Sequence, residues 1–134
     1  MKVDGTCFCG YLTFEAEVDP ATVELCHCRD CQILSSSAFR IVVPALPGSF
    51  RQLTGTPTVY IKTAESGHRR NLAFCPKCGT AIYSAPADGD SHYFGLRVGA
   101  LRQGLELVPH AQSWHWSALP WLGNLDALVT YDTE

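Results

Sequence analysis

Apolar and polar residues alternate one for one between Tyr11 and Val18. Leu12, Phe14, Ala16 and Val18 fall on one side and Thr13, Glu15 and Glu17 on the other. That is the period of a half-buried strand, and Asp19-Pro20 stops it. Ala38 to Val43 is rich in β-branched residues and predicts a second strand, closed by a loop signal at Pro44-Ala45-Leu46-Pro47-Gly48. Phe50 to Leu53 and Thr58 to Lys62 predict short strands around Gly55-Thr56-Pro57, with Val59 and Ile61 alternating against Tyr60 and Lys62. Asn71 to Phe74 and Thr80 to Tyr83 flank a pair of cysteines, and His92 to Val98 predicts a further strand with Tyr93 and Phe94 on opposite faces. No segment sustains a helical i, i+3, i+4, i+7 pattern. Pro109 and Pro120 argue against a long helix from Val108 to Trp121. The expected fold class is mainly β.

The 134 residues suit one domain spanning 1–134, with no internal repeat or low-complexity linker. Hydrophobic residues make up 46%, enough for a core. The net charge is −3, and the sole basic run is Arg69-Arg70. A nucleic-acid partner needs a basic footprint to displace counterions from phosphates, so none is expected. The longest apolar stretch, Ile41 to Leu46, is far too short for a membrane span. No signal-peptide pattern precedes Cys7, and the expected location is cytoplasmic.

Seven cysteines remain to be explained. Their number is odd, and they fall in clusters: Cys7 and Cys9; Cys26, Cys28 and Cys31; Cys75 and Cys78. Disulfides fit this poorly in a reducing compartment, whereas neighbouring thiolates can converge on one tetrahedral metal ion. Cys75-Pro76-Lys77-Cys78-Gly79 has the form of a zinc knuckle, in which Gly79 can take a positive φ and turn backbone N–H groups toward the sulfurs. A redox CxxC would want a βαβ context, which is missing. Cys7 and Cys9, two apart on a strand, would share a face. Joined to the knuckle they would complete four thiolates, a closed structural site. Cys26, Cys28 and Cys31 would then form a three-thiolate site with an open fourth position, suited to a thiol substrate. Spacing alone also allows Cys7 and Cys9 to join the middle cluster instead.

These blocks resemble those of the glutathione-dependent formaldehyde-activating enzyme family. Gly5-Thr6-Cys7-Phe8-Cys9-Gly10 is similar to its GxCxCG block, Cys26-His27-Cys28-Arg29-Asp30-Cys31-Gln32 to CHCxxCQ, and Phe74-Cys75-Pro76-Lys77-Cys78-Gly79 to FCxxCG. Pro109-His110 and the Ser113 to Trp121 segment extend the likeness toward the C-terminus. The resemblance implies a β-tent fold stapled by Zn²⁺, two ions per chain. Cys7, Cys9, Cys75 and Cys78 would hold the structural zinc, and Cys26, Cys28 and Cys31 an open and labile one. It further implies a carbon–sulfur lyase that joins glutathione, or a related thiol, to formaldehyde or another small electrophile. The rival is a zinc-stapled protein-binding module without catalysis.

Other residues have blander expectations. His27, between two proposed ligands, should point away and pack or hydrogen-bond. Asp30 should accept a hydrogen bond within its own loop. Ser35, Ser36 and Ser37 read as a turn. Arg29, Arg40, Arg69 and Arg70 are the candidates for glutathione's carboxylates. Trp114, Trp116 and Trp121 would be core or interface, with a homodimer as one option. His110 and His115 lack metalloprotease spacing and read as hydrogen-bonded structural histidines.

Overall fold

The structure is a computed structural model that describes residues 1–88 and 92–134. It is mainly β. The strands are β1 (Lys2–Thr6), β2 (Thr13–Glu17), β3 (Glu24–Cys26), β4 (Arg40–Pro44), β5 (Arg51–Thr54), β6 (Thr58–Thr63), β7 (Arg69–Phe74), β8 (Ala81–Pro86), β9 (Gly95–Arg97) and β10 (Ala111–Ser113). One α-helix, α1 (Arg29–Ser35), follows β3, and 3-10 turns make up much of the C-terminal third. No helix among the described residues is long and apolar enough to cross a membrane.

The strands form two sheets. One has the order β1-β2-β5 and the other β10-β3-β4-β9-β8-β7-β6. Leu12, Phe14, Ala16 and Val18 all face the core, as their alternation predicts. Phe14 lies opposite Gly5 in the β1–β2 ladder, and its ring fills the space a side chain there would need. Phe50, Tyr83 and Phe94 carry the packing from Phe14 across to the larger sheet, with ring centroids 4.4 to 5.8 Å apart. Bridges from Gly5 to Leu101 and from Val18 to Ala45 tie the layers further.

Four local expectations need correction. β4 runs through Pro44 instead of stopping before it. The ring costs one N–H, but Ala45 resumes the ladder with a 2.8 Å bond to the Phe94 carbonyl. β9 is shorter than His92 to Val98, because Val98 already begins a 3-10 turn. β6 has no buried face: Val59, Tyr60 and Ile61 are all exposed, since β6 is the edge strand of the larger sheet. Helix α1 is too short to show a period. It is set by local capping, with Cys28 at its N-terminus and Ser36 closing it in the left-handed region.

Candidate metal centres

The chain ends strand β1 at Thr6, so Cys7 and Cys9 do not share a strand face. They sit in a turn closed by a 3.1 Å bond from the Gly10 N–H to the Cys7 carbonyl. The turn brings their sulfurs together all the same, 3.6 Å apart. The second turn, Cys75 to Gly79, closes through the Gly79 N–H to the Cys75 carbonyl at 2.9 Å. Gly10 and Gly79 both have positive φ, 82° and 78°, which permits each reversal. Cys9 Sγ then lies 3.8 Å from Cys75 Sγ.

Cys7, Cys9, Cys75 and Cys78 thus form one group with all sulfurs within 4.8 Å of one another, and Cys26, Cys28 and Cys31 form another. Spacing left the partition open, and the fold decides it. All seven are free thiols. Sulfurs at the corners of a tetrahedron around zinc, with bonds of about 2.3 Å, stand roughly 3.8 Å apart. The observed separations match that and are far beyond a disulfide bond. Both groups could hold a metal ion.

Hydrogen bonds aim at the sulfurs of the four-thiol group. Leu12 N–H donates to Cys7 Sγ at 3.2 Å and Lys77 N–H to Cys75 Sγ at 3.4 Å. Thr80 links the two turns: its hydroxyl donates to Cys78 Sγ at 3.2 Å and accepts from the Phe8 N–H at 3.0 Å. The Thr80 hydroxyl and backbone N–H groups hold the Cys78 thiol down at about 5. A Tyr11 N–H bond favours the Cys9 thiolate, yet desolvation and the neighbouring sulfurs push that thiol up to about 11.

The three-thiol group straddles the end of β3 and the first turn of α1. Cys28 is the helix cap, its sulfur accepting from the Cys31 N–H at 3.3 Å. Burial opposes ionisation of Cys28, but that N–H, the neighbouring thiols and the Lys62 ammonium outweigh it and lower its pKa. Burial and the two neighbours push Cys31 up to about 12, and burial raises Cys26 as well. One thiolate therefore forms readily and the other two resist it without a cation among them.

Gln32 anchors this loop. Its buried amide donates to the His27 carbonyl at 3.0 Å and to the Ser117 carbonyl at 3.1 Å, and its Oε1 accepts from Arg29 at 3.2 Å. His27 points away from the thiols, as expected. Its ring is 2% exposed and donates from Nε2 to Gln112 Oε1 at 2.8 Å. Asp30 does not bond within its loop but reaches β6, where it pairs with Lys62 at 2.7 Å. Ser35 ends the helix and Ser36 caps it, so the serines are less a free turn than a helix stop.

The other singled-out residues are placed as follows. Arg29 is exposed and turned to Gln32, and Arg69 pairs with Asp88 on the far side of the sheet's last hairpin. Trp114, Trp116 and Trp121 are exposed, Trp116 at 90%, so they are not core. Neither the His110 nor the His115 ring makes a hydrogen bond among the described residues; His115 instead meets His27 edge-on at 5.8 Å. Arg40 is buried, which its neighbours in a β-branched strand foreshadow. Arg97 is the residue sequence reading passed over. It lies half-buried beside Arg40, and a strand ending in arginine before Val98 was the available signal.

A cavity of about 370 Å³ is lined by Arg40, which stands opposite Cys26 in the β3–β4 ladder, though no cysteine forms part of its wall. Its walls include Leu34 of α1, Arg40 of β4, Tyr60 of β6, Phe74 and Gly79 around the knuckle, Tyr83 of β8 and Arg97 of β9. It therefore spans the ground between the two thiol groups. A larger depression of about 570 Å³ lies near Lys2, Glu15 and Ser49.

A family model described as "Glutathione-dependent formaldehyde-activating enzyme" matches residues 2–117. An uncharacterized lyase of Schizosaccharomyces pombe is 29% identical over 93 residues. That match takes in 69% of this chain but 64% of the relative, so the chain spans slightly less than two thirds of the length of that curated protein. A crystal structure of a Rhodobacter sphaeroides protein is alike in fold, with a TM-score of 0.64 at 22% identity. The likeness covers 82% of this chain and 99% of that one.

Proposed function

The chain belongs to the glutathione-dependent formaldehyde-activating enzyme family, and from that premise we propose that it is a zinc-dependent carbon–sulfur lyase acting on the adduct of a thiol, glutathione or a relative, with a small aldehyde. Cys7, Cys9, Cys75 and Cys78 hold a structural zinc, and Cys26, Cys28 and Cys31 hold the reactive one. The observation that carries this reading is the incomplete group: three sulfurs converge, and no fourth cysteine, histidine or carboxylate joins them among the described residues. Four protein ligands close a zinc site, whereas three leave a position for a substrate.

Zinc bound to the three thiols would keep an incoming thiol ionised. The chain's own residues prepare the surroundings. Lys62 lies beside Cys28 and Arg97 near Cys31 and Cys26, so positive charge faces a place where anionic sulfur collects. Leu34, Phe74 and Tyr83 give the cavity walled by Arg40 and Arg97 an apolar side. Addition of a thiol to an aldehyde forms one carbon–sulfur bond and transfers the thiol proton to the former carbonyl oxygen. The reverse breaks that bond, and neither direction consumes an oxidant or reductant.

The test is calorimetric titration of glutathione into reduced chain of known zinc content, beside Cys28→Ser. Serine retains an oxygen acceptor at the helix cap, so the variant keeps α1 while losing a thiolate. Binding that requires Cys28 supports the lyase and leads to formaldehyde kinetics; absence of binding by chain carrying two zincs overturns it. The exposed tryptophans favour a second reading, a zinc-stapled module that binds a protein partner or a second copy of itself. That reading requires indifference to small thiols.

A further inference from the structure

The ladder registers place three side chains on one face of the large sheet. Cys26 stands directly opposite Arg40 between β3 and β4, and Val42 directly opposite Arg97 between β4 and β9. Residues opposite each other project to the same side, as do residues two apart on one strand. Cys26, Arg40 and Arg97 therefore run diagonally across three adjacent strands, leading from a thiol of the open group to two guanidinium groups.

Both arginines line the cavity, and among the described residues neither is paired with a carboxylate. Arg40 is 8% exposed. Arg97 Nε is buried without a hydrogen-bond partner. Among the described residues no aspartate or glutamate pairs with either, while Lys62 nearby is already engaged by Asp30. Burial and the neighbouring Arg40 charge lower the Arg97 pKa to about 10. Two like charges side by side in an apolar setting are costly unless an anion meets them. The thiolates of the open group offset part of that charge, yet they leave the guanidinium N–H of Arg97 unbonded. A planar guanidinium matches the two oxygens of a carboxylate better than it matches a sulfur.

We propose that Arg40 and Arg97 form a carboxylate-binding floor in the cavity between the two thiol groups, so that the substrate at the open group carries a carboxylate together with its thiol. This deepens the thiol-site reading and rests on it. The cavity, at about 370 Å³, lies near the small end of ordinary ligand sites of roughly 300–1,000 Å³. The carboxylate therefore belongs close to the sulfur within a compact ligand. Arg40 and Arg97 select the substrate and do not react with it.

The test compares 3-mercaptopropionate, 2-mercaptoethanol and propionate, by calorimetry on the reduced chain of measured zinc content. A charge-assisted pair should make 3-mercaptopropionate bind at least about tenfold more tightly than 2-mercaptoethanol. Arg40→Gln and Arg97→Gln should each cut that ratio toward unity by weakening 3-mercaptopropionate far more than 2-mercaptoethanol, and Arg97→Lys should restore part of it. A ratio near unity in the natural chain, or one preserved in both glutamine variants, overturns the proposal while leaving the thiol site standing. If neither thiol binds, the thiol reading fails on its own account, and propionate decides about the floor. Its titration should shift the Arg97 Nε–H resonance in the NMR spectrum of the natural chain; an unmoved resonance overturns the floor. That arm needs no variant and so survives any failure of the substituted chains to fold.

Discussion

Cys26 and Arg40 face each other directly across the β3–β4 ladder, a thiol of the open group against a buried guanidinium. The pairing puts a fixed positive charge on the same sheet face as the sulfur, one strand removed from Arg97. A strand register is rigid to within a fraction of a side chain, so the spacing between thiol and cation is built into the backbone and does not depend on a loop.

The two thiol groups should differ in what their loss does. Cys78→Ser removes one corner of the group that fastens the Cys7 turn to the knuckle, and the chain should lose cooperative unfolding or fail to accumulate folded. Cys28→Ser should keep the native circular dichroism spectrum and bind one metal ion fewer. Chelator titration followed by metal analysis and circular dichroism checks both: the first ion lost should leave the spectrum intact, and the second should not.

Metal uptake should strengthen as pH rises. In the metal-free chain Cys31 sits at about 12 and Cys9 at about 11, so both are protonated at neutral pH, while Cys78, at about 5, is already ionised. Thiols must be deprotonated to bind a metal, so uptake releases protons from Cys9 and Cys31 and is opposed by acid. Calorimetry in buffers of differing ionisation enthalpy should show net proton release, and the apparent affinity should fall steadily from alkaline to acidic pH.

Gly5→Ala should destabilise the fold by about 2 kcal/mol or more, the usual scale of overpacking in a core that cannot yield. An added Cβ would come within 2.2 Å of the Phe14 ring, and Phe14 is fully buried. Denaturant unfolding should show a lower midpoint with unchanged slope. Gly5→Ala combined with Phe14→Leu should recover part of the loss, because the smaller side chain vacates the contact.

Gln32→Leu should cost about 1–3 kcal/mol, the penalty for leaving buried acceptors unpaired. The His27 and Ser117 carbonyls would both lose their donor. The change should be local in hydrogen exchange: faster in α1 and in the segment around Ser117, and unaltered in β1 and β2.

Asp30→Asn should change stability by less than about 1 kcal/mol, since the carboxylate of the pair with Lys62 is more than half exposed to solvent. Thermal denaturation beside the natural chain is the check.

Much of this molecule is written locally. Strand β2 follows from strict alternation, because a half-buried strand requires a period of two whatever surrounds it. The knuckle follows from Cys75-Pro76-Lys77-Cys78-Gly79, because a tight reversal with two sulfurs on one side needs that spacing and a residue free to take positive φ. Helix α1 was not legible, since seven residues give no period, and its cap is a cysteine whose spacing reads first as a ligand.

By itself the sequence determined that the chain is mainly β, that its cysteines lie in clusters suited to metal ions, and that His27 turns away from its neighbours. The first two depend on residues a few positions apart, which spacing encodes, and the third follows from a ligand standing on either side of His27, although its partner Gln112 is remote. Only the tertiary structure decided that Cys7 and Cys9 join Cys75 and Cys78 and not Cys26, Cys28 and Cys31. Only it brought Arg97 beside Arg40 and carried Asp30 to Lys62. Those relations span tens of residues and follow from strand order and register, which are set by how two sheets bury their apolar faces together. No local pattern carries that information, because the partners meet only after the core has formed.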